Sequence, residues 1–311
     1  MYLYHLLLMP KISIITTTYK HSDFITHTID SVLAQTYTDR ELLIWDDSPD
    51  DATRDIISSY TSRYPDKIKA RHHIPNKWIV DNMNFLISQS SQESEYLSFL
   101  EWDDMYTPDN LQQKIHIFEH YPEVMLVHSD ISIVDKNWNV TIDSLYQNNK
   151  DWIHNALFSW NNIMYNKNTF LLDPTSIISY SIGMIRREST YAIRSLRDSK
   201  NYSVSDREMY LKLLTMYHSY FISSQLVKYR IYNTSISKTK WILGYDMSIL
   251  LGTLFNEKFW DKKMALWYIA KNFFTNIDIR TLIRRIKIII YILFPAKINN
   301  LIFKILYWYK E

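Results

Sequence analysis

Residues 11–19 read KISIITTTY and residues 41–51 read ELLIWDDSPDD. Each begins as an apolar or β-branched run and stops abruptly in polar residues. That is the pattern of a strand buried on both faces, not of one alternating between core and water. Between them, Phe24, Ile25, Ile29, Val32 and Leu33 recur at helical spacing within residues 23–36. A strand, a helix and a second buried strand make a crossover unit, which joins parallel neighbours in one sheet.

The alternation continues outward. A helix is expected over Thr53–Arg63, a strand over residues 67–73 (KIKARHH), a helix over 79–90 and a strand over Tyr96–Leu100, which runs into EWDD. Repeated alternation over the first hundred residues predicts an α/β fold with a parallel, doubly wound sheet. Such sheets bind ligands at the carboxyl ends of their strands. Both acidic clusters follow strands directly, so Asp46, Asp47, Asp103 and Asp104 are expected around one crevice. Beyond Pro108 the pattern predicts a helix over 109–120, then two short strands or a hairpin arm in VMLVHSDISIVD (124–135) and a hairpin turn in DKNWNV (135–140). A strand is expected over 176–187 and a helix over 205–217.

Composition narrows the function. The 311 residues are 47% hydrophobic and 22% charged, as in a globular protein. A net charge of +2 predicts no nucleic-acid partner. The absence of cysteine excludes disulfides, thiolate metal sites and cysteine nucleophiles. The opening MYLYHLLLMP lacks the basic start and long apolar core of an export signal, which predicts a cytoplasmic protein. Met9-Pro10-Lys11 reads as a start, so the first nine residues are set apart as an upstream extension and the domain is counted from residue 10. Past residue 236 the pattern turns helical, basic and apolar, so a boundary is placed between 235 and 236.

Carboxylates at strand ends suit a divalent cation held between protein oxygens and a diphosphate. Asp103 and Asp104, with Glu101 upstream, supply such oxygens, although most acidic loops are simply solvated. The order of the motifs says more. PKISIITTTYKH, SVLAQTY (31–37), ELLIWDDSPDD and LSFLEWDDMYTPDNL (97–111) together resemble the family 2 glycosyltransferases over residues 10–235. NKWIVDN (76–82), SIGMIRRE (181–188), SDREMYLKL (205–213) and YRIYNTSIS (229–237) continue the resemblance in order. Thr17 and Lys20 replace the family's usual proline and asparagine, and Tyr232 stands at its usual histidine.

The resemblance implies the GT-A nucleotide-diphospho-sugar transferase fold, mostly parallel and doubly wound, with a C-terminal helical appendage over 236–311. It implies a nucleotide-diphospho-sugar donor, a UDP-sugar first, and a saccharide or lipid-linked acceptor. Thr17, Tyr19 and Asp47 would border the base, and Asp103 would reach ribose and metal. Asp104 would be the likelier ligand of Mn2+ or Mg2+, and Arg230 would lie near the diphosphate. Asp206 would remove the acceptor proton in an inverting displacement. Its other reading is a helix N-terminal residue stabilised by the macrodipole. A metal-dependent nucleotidyltransferase is the rival enzyme, although residues 10–25 have no glycine-rich phosphate loop; a GT-A-like scaffold subunit is the rival without activity. His72, His73 and His128 have no ligand spacing.

Two features lie outside the catalytic pattern. TLIRRIKIIIYILF (281–294) spans about 21 Å as a helix, short of a ~30 Å bilayer core. With Arg284, Arg285, Lys287, Lys297 and Lys304 it predicts peripheral attachment to an anionic membrane surface at the inner face; the competing reading is a packing helix. The chain also has three glycines against ten tryptophans. Trp45, Trp78 and Trp102 stand where the resemblance implies glycine or a small residue, and Trp138 and Trp160 where a turn favours glycine. A UGA codon read as glycine would explain the pattern; drift to tryptophan is the competing account.

Overall fold

The computed structural model describes residues 11–73, 79–145, 179–192 and 205–232. The chain divides into two units, Met1–Ser235 and Ile236–Glu311, and the described residues all belong to the first. The expected elements over 236–311, including the basic apolar stretch, lie outside the described residues.

The elements are β1 (Lys11–Thr18), α1 (Ile25–Leu33), β2 (Arg40–Asp46), α2 (Asp51–Arg63), β3 (Ile68–His72), α3 (Ile79–Gln89) and β4 (Ser94–Phe99). Then come β5 (Met105–Tyr106), α4 (Asn110–His120), β6 (Val124–Val134), β7 (Val140–Ile142), β8 (Gly183–Arg186), α5 (Ser205–Met216) and β9 (His218–Arg230). Among the described residues they form one nine-stranded sheet in the order β3-β2-β1-β4-β8-β6-β9-β5, with β7 beside β6. β1 pairs parallel with β2 and β4, β2 with β3, and β6 with β9, while β8 inserts antiparallel between β4 and β6. The fold is α/β with a mostly parallel sheet, as the alternation predicted. All seven β2 residues are buried, which explains its unbroken apolar reading.

Buried polar side chains hold this frame. Glu41 on β2 accepts from Ser13 Oγ (2.7 Å), Lys69 Nζ (2.8 Å) and the Ser91 N–H (2.6 Å). Those partners outweigh its desolvation and hold its carboxyl below the usual range. Arg40 donates to the carbonyls of Val32, Leu33 and Tyr37, closing the C-terminal end of α1. Arg186 donates to the carbonyls of Val124 and Phe118, and Arg187 to those of Ser94 and Ser91. These two arginines fasten β8 to its neighbours.

Three elements differ from expectation. Residues 124–134 make one long strand, not two: the register shifts around Asp130 allow its polar centre without a break. Asp130 itself is buried and accepts from Ser144 Oγ, Gln225 Nε2 and the Ile131 N–H. The strand expected over 176–187 shortens to Gly183–Arg186 after a 3-10 turn at Tyr180–Ile182; residues 176–178 are outside the described set. A side chain at Gly183 would overlap Tyr210 Oη of α5, so glycine lets that helix approach the sheet. Finally, β9 is a thirteen-residue strand that hydrophobic periodicity did not mark. Among the described residues no helix is long and apolar enough to cross a membrane.

Candidate functional site

The parallel strands β1, β2 and β4 end at one edge of the sheet. The Asp47 N–H donates to Thr18 O (3.1 Å), tying the two acidic-side turns to the end of β1. Thr17 is half-buried there and Tyr19 is 39% exposed. Lys20 turns the chain with a φ of 61° and donates its N–H to Ser48 Oγ (2.7 Å). Asp46 accepts the Ser48 N–H (2.9 Å) and lies 3.1 Å from His72 Nδ1, so it shapes this turn. Asp47 is buried, and its two oxygens accept from Trp45 Nε1 and Asn82 Nδ2, each at 2.6 Å. His73 Nδ1 is 4.0 Å away.

On the other side of β1, Glu101–Asp104 form a turn closed by the Asp104 N–H to Glu101 O (3.1 Å). Thr28 of α1 supports it: its hydroxyl lies 2.7 and 2.9 Å from the carbonyl oxygens of Trp102 and Asp104. Asp104 is fully enclosed. One oxygen accepts from Ser181 Oγ (2.6 Å), with Ser179 Oγ at 3.4 Å, and the other accepts the Arg230 N–H (3.1 Å). Glu101 accepts from Ser179 Oγ. The Asp103 carboxylate is half-buried and takes no hydrogen bond from any other described residue. Burial first, and then Glu101, push its carboxyl up to about 8. Asp104 rises for the same reason, desolvation followed by the charges of Asp103 and Glu101.

β9 carries Arg230 to this turn from 126 residues away. Its Nε donates to Asp103 O (3.0 Å) and Nη1 to Lys136 O (3.2 Å), while the buried Nη2 has no partner among the described residues. The guanidinium lies between two rings, 4.0 Å from Phe24 and 3.6 Å from Trp138. Asp206 stands in the first turn of α5. Tyr229 sits among the carboxylates: burial raises its phenol, and Glu101, Asp104, Asp103 and Asp206 each push it further. The base expected on α5 and the acidic turn after β4 therefore act on one phenol.

The structure thus brings Asp103, Asp104, Arg230 and the field of Asp206 together, and sets Thr17, Tyr19 and Asp47 along the same edge. The two members of the acidic pair differ in their surroundings: the oxygens of Asp104 accept from Ser181 and the Arg230 N–H, whereas the carboxylate of Asp103 takes no hydrogen bond from another described residue. Among the described residues no three His, Asp or Glu side chains are grouped to hold a metal ion. Sequence reasoning missed Thr28, Ser179 and Ser181, which hold the turn, because isolated hydroxyls carry no spacing signal. It missed His21 too, whose ring packs on Trp102 and whose burial lowers its imidazole to about 3. His72 pairs with Asp46, and His128 is buried and held down to about 3 by desolvation. The Trp78 turn is outside the described residues.

Comparison with known proteins agrees with this geometry. The family profile described as Glycosyl transferase family 2 matches residues 13–194. An uncharacterized glycosyltransferase of Nostoc sp. strain PCC 7120 is 33% identical over 133 residues, 43% of this chain and 40% of that protein. TuaG of Bacillus subtilis strain 168, named as a teichuronic acid biosynthesis glycosyltransferase, is 28% identical over 242 residues, 75% of this chain and 83% of its own. The matches to the Nostoc protein and to EpsE of B. subtilis span less than half of either relative, 40% and 45%. Among solved structures, residues 1–349 of S. aureus TarS align with a TM-score of 0.60 at 14% identity, over 91% of this chain and 81% of that one. The mannosyltransferase PcManGT of Pyrobaculum calidifontis, solved with GDP-Man and Mn2+, aligns with a TM-score of 0.53 at 12% identity, over 98% and 89%. At such identities the likeness establishes the fold alone.

Proposed function

The chain belongs to glycosyl transferase family 2, and on that premise we propose that it moves a sugar from a nucleotide-diphospho-sugar, a UDP-sugar first, to a hydroxyl of a saccharide or lipid-linked acceptor with inversion. The observation that carries this reading is the contact of the turn after β4 with the end of β9, where Arg230 binds the backbone of Asp103 and the carboxylate of Asp104 at the edge of the sheet where such folds bind ligands. TarS complexes with UDP-GlcNAc and UDP support the class of donor. TuaG's name, a teichuronic acid biosynthesis glycosyltransferase, supports a surface polysaccharide as the product.

Thr17 and the exposed ring of Tyr19 border the base, and Asp47, held by Trp45 and Asn82, accepts from it. The acidic turn fits Mn2+ or Mg2+ in donor chemistry: hard oxygens, with the carboxylate of Asp103 unclaimed by other residues. Asp103 would hold the ion, and Asp104, fixed by Ser181 and Arg230, would orient the turn. When bound, the cation neutralises the diphosphate as it leaves. Arg230 Nη2, without a partner among the described residues, is placed to donate to a phosphate oxygen. Asp206 takes the proton from the acceptor hydroxyl as that oxygen attacks the anomeric carbon from the side opposite the departing diphosphate.

Incubating the purified chain with UDP-sugars and Mn2+ tests the reading. Donor hydrolysis or transfer is expected, lost on chelation. Asp206→Asn should keep UDP affinity while turnover falls about 10²–10⁴-fold. Wild-type turnover in that variant would remove Asp206 as the base.

A further inference from the structure

Three tryptophans lie within the described residues, and each sits at the candidate site. Trp45 donates to Asp47, Trp102 is part of the acidic turn, and Trp138 lies 3.6 Å under the guanidinium of Arg230. Their backbones and surroundings separate them into two kinds.

Trp138 ends a three-residue hairpin loop between β6 and β7. Asp135 and Asn139 close the loop (N–H to O, 2.9 Å), the Trp138 N–H returns to Asp135 O (3.1 Å), and Trp138 has a φ of 68°. This is a turn followed by a left-handed residue, the hairpin geometry that takes glycine there. The conformation is locked, because Asp135 Oδ1 also accepts the N–H groups of Asn137 (2.8 Å) and Asn139 (3.0 Å). A large side chain is disfavoured in that region. Trp102 shows the crowding in its side chain: its ring lies 3.0 Å from that of His21, centroid to centroid, at 5°. Aromatic pairs prefer centroids about 4.5–7 Å apart. Trp45 is different. It is an extended residue of β2, buried, packed edge-on against Phe85 at 4.6 Å, with its N–H satisfied by Asp47.

With three glycines and ten tryptophans in 311 residues, we propose that positions 102 and 138 are glycine in the functional protein, through a UGA codon read as glycine, and that its donor cleft is wider by both indoles. Loss of the Trp138 ring uncovers one face of Arg230 beside its free Nη2. Loss of the Trp102 ring releases His21 and opens space next to Asp103. Both changes make room for the diphosphate of a donor. That ligand rests on the proposed function; the residue assignment rests on the backbone and the ring contact alone.

The test uses the full chain, with Trp138→Gly, Trp102→Gly and Trp45→Gly, alongside the gene's codons and peptide masses from the source organism. Removing an indole ordinarily lowers stability. Here Trp138→Gly is expected to raise the melting midpoint by about 2–4 °C, by relief of the left-handed residue, while Trp45→Gly lowers it. The Trp102→Gly/Trp138→Gly protein should bind Mn2+–UDP about tenfold more tightly, the worth of one freed charge-assisted hydrogen bond. UGG codons at 102 and 138, or a lower midpoint in Trp138→Gly, overturn the assignment. A raised midpoint with no UDP binding in any variant upholds the glycines and refutes the donor reading instead.

Discussion

Lys114 on α4 is wholly enclosed, and its ammonium has no partner among the described residues. Near it are the Tyr106 ring at 5.4 Å and His128, kept neutral by burial and repelled by Lys114; Asn110, one turn earlier on α4, has an Oδ1 without a partner among the described residues. Desolvation pushes the lysine from 10.5 down to about 7. A lowered pKa means that the folded chain holds the proton less firmly than the unfolded chain, so the charge opposes folding. The penalty is complete below about pH 7, shrinks as the folded form releases its proton, and disappears above the unfolded value of 10.5. At about 1.4 kcal/mol per pH unit, the interval sets a ceiling of about 5 kcal/mol, of which relaxation of the site leaves about 2–4. Lys114→Met keeps the length and removes the charge. Urea unfolding followed by fluorescence should show the variant more stable by about 2–4 kcal/mol near pH 6, with the advantage fading towards about pH 10. Comparing the two proteins at each pH cancels most other titrations, leaving the small response of His128. A variant less stable near pH 6, or a difference that does not change with pH, would refute the argument.

Arg40→Met removes two bonds to carbonyls at the end of α1 and one to Tyr37 in the connection that follows, and should cost about 2–4 kcal/mol in urea unfolding without altering UDP specificity. Asp104→Asn turns one of its two accepting oxygens into a donor, facing either the Arg230 N–H or Ser181, so Mn2+ and UDP affinity should fall together with the melting midpoint, both measurable by thermal shift. Deleting residues 281–311, which lie outside the described residues, should abolish sedimentation with anionic liposomes; unchanged sedimentation would exclude this stretch as the anchor.

What could be read from the sequence follows from how each feature is encoded. β1, β2 and β4 are buried along most of their length, so apolar or β-branched stretches such as residues 42–45 run without alternation and end visibly in polar and charged turns at one edge of the sheet. Burial of the parallel half of the sheet and placement of the carboxylates are therefore written in the same residues. β9 has no such signature. Its residues His218–Arg230 mix buried, half-buried and exposed positions, because it lies between β6 and the two-residue β5, and neither apolar continuity nor strict alternation survives. Yet β9 decides the state of the acidic pair. Arg230 reaches Asp104 through a backbone N–H and Asp103 through a carbonyl, contacts that any residue type makes in part and that leave no spacing to detect. Ser179 and Ser181 act likewise from the turn before β8. The acidic motif supplies the carboxylate oxygens; the long-range partners decide which of them are already hydrogen-bonded. They enclose Asp104 and, among the described residues, leave the carboxylate of Asp103 without a partner, so the proposed division of labour between two adjacent aspartates rests on residues about 75 and 126 positions away, through the sheet pairing that brings β8 and β9 to the turn.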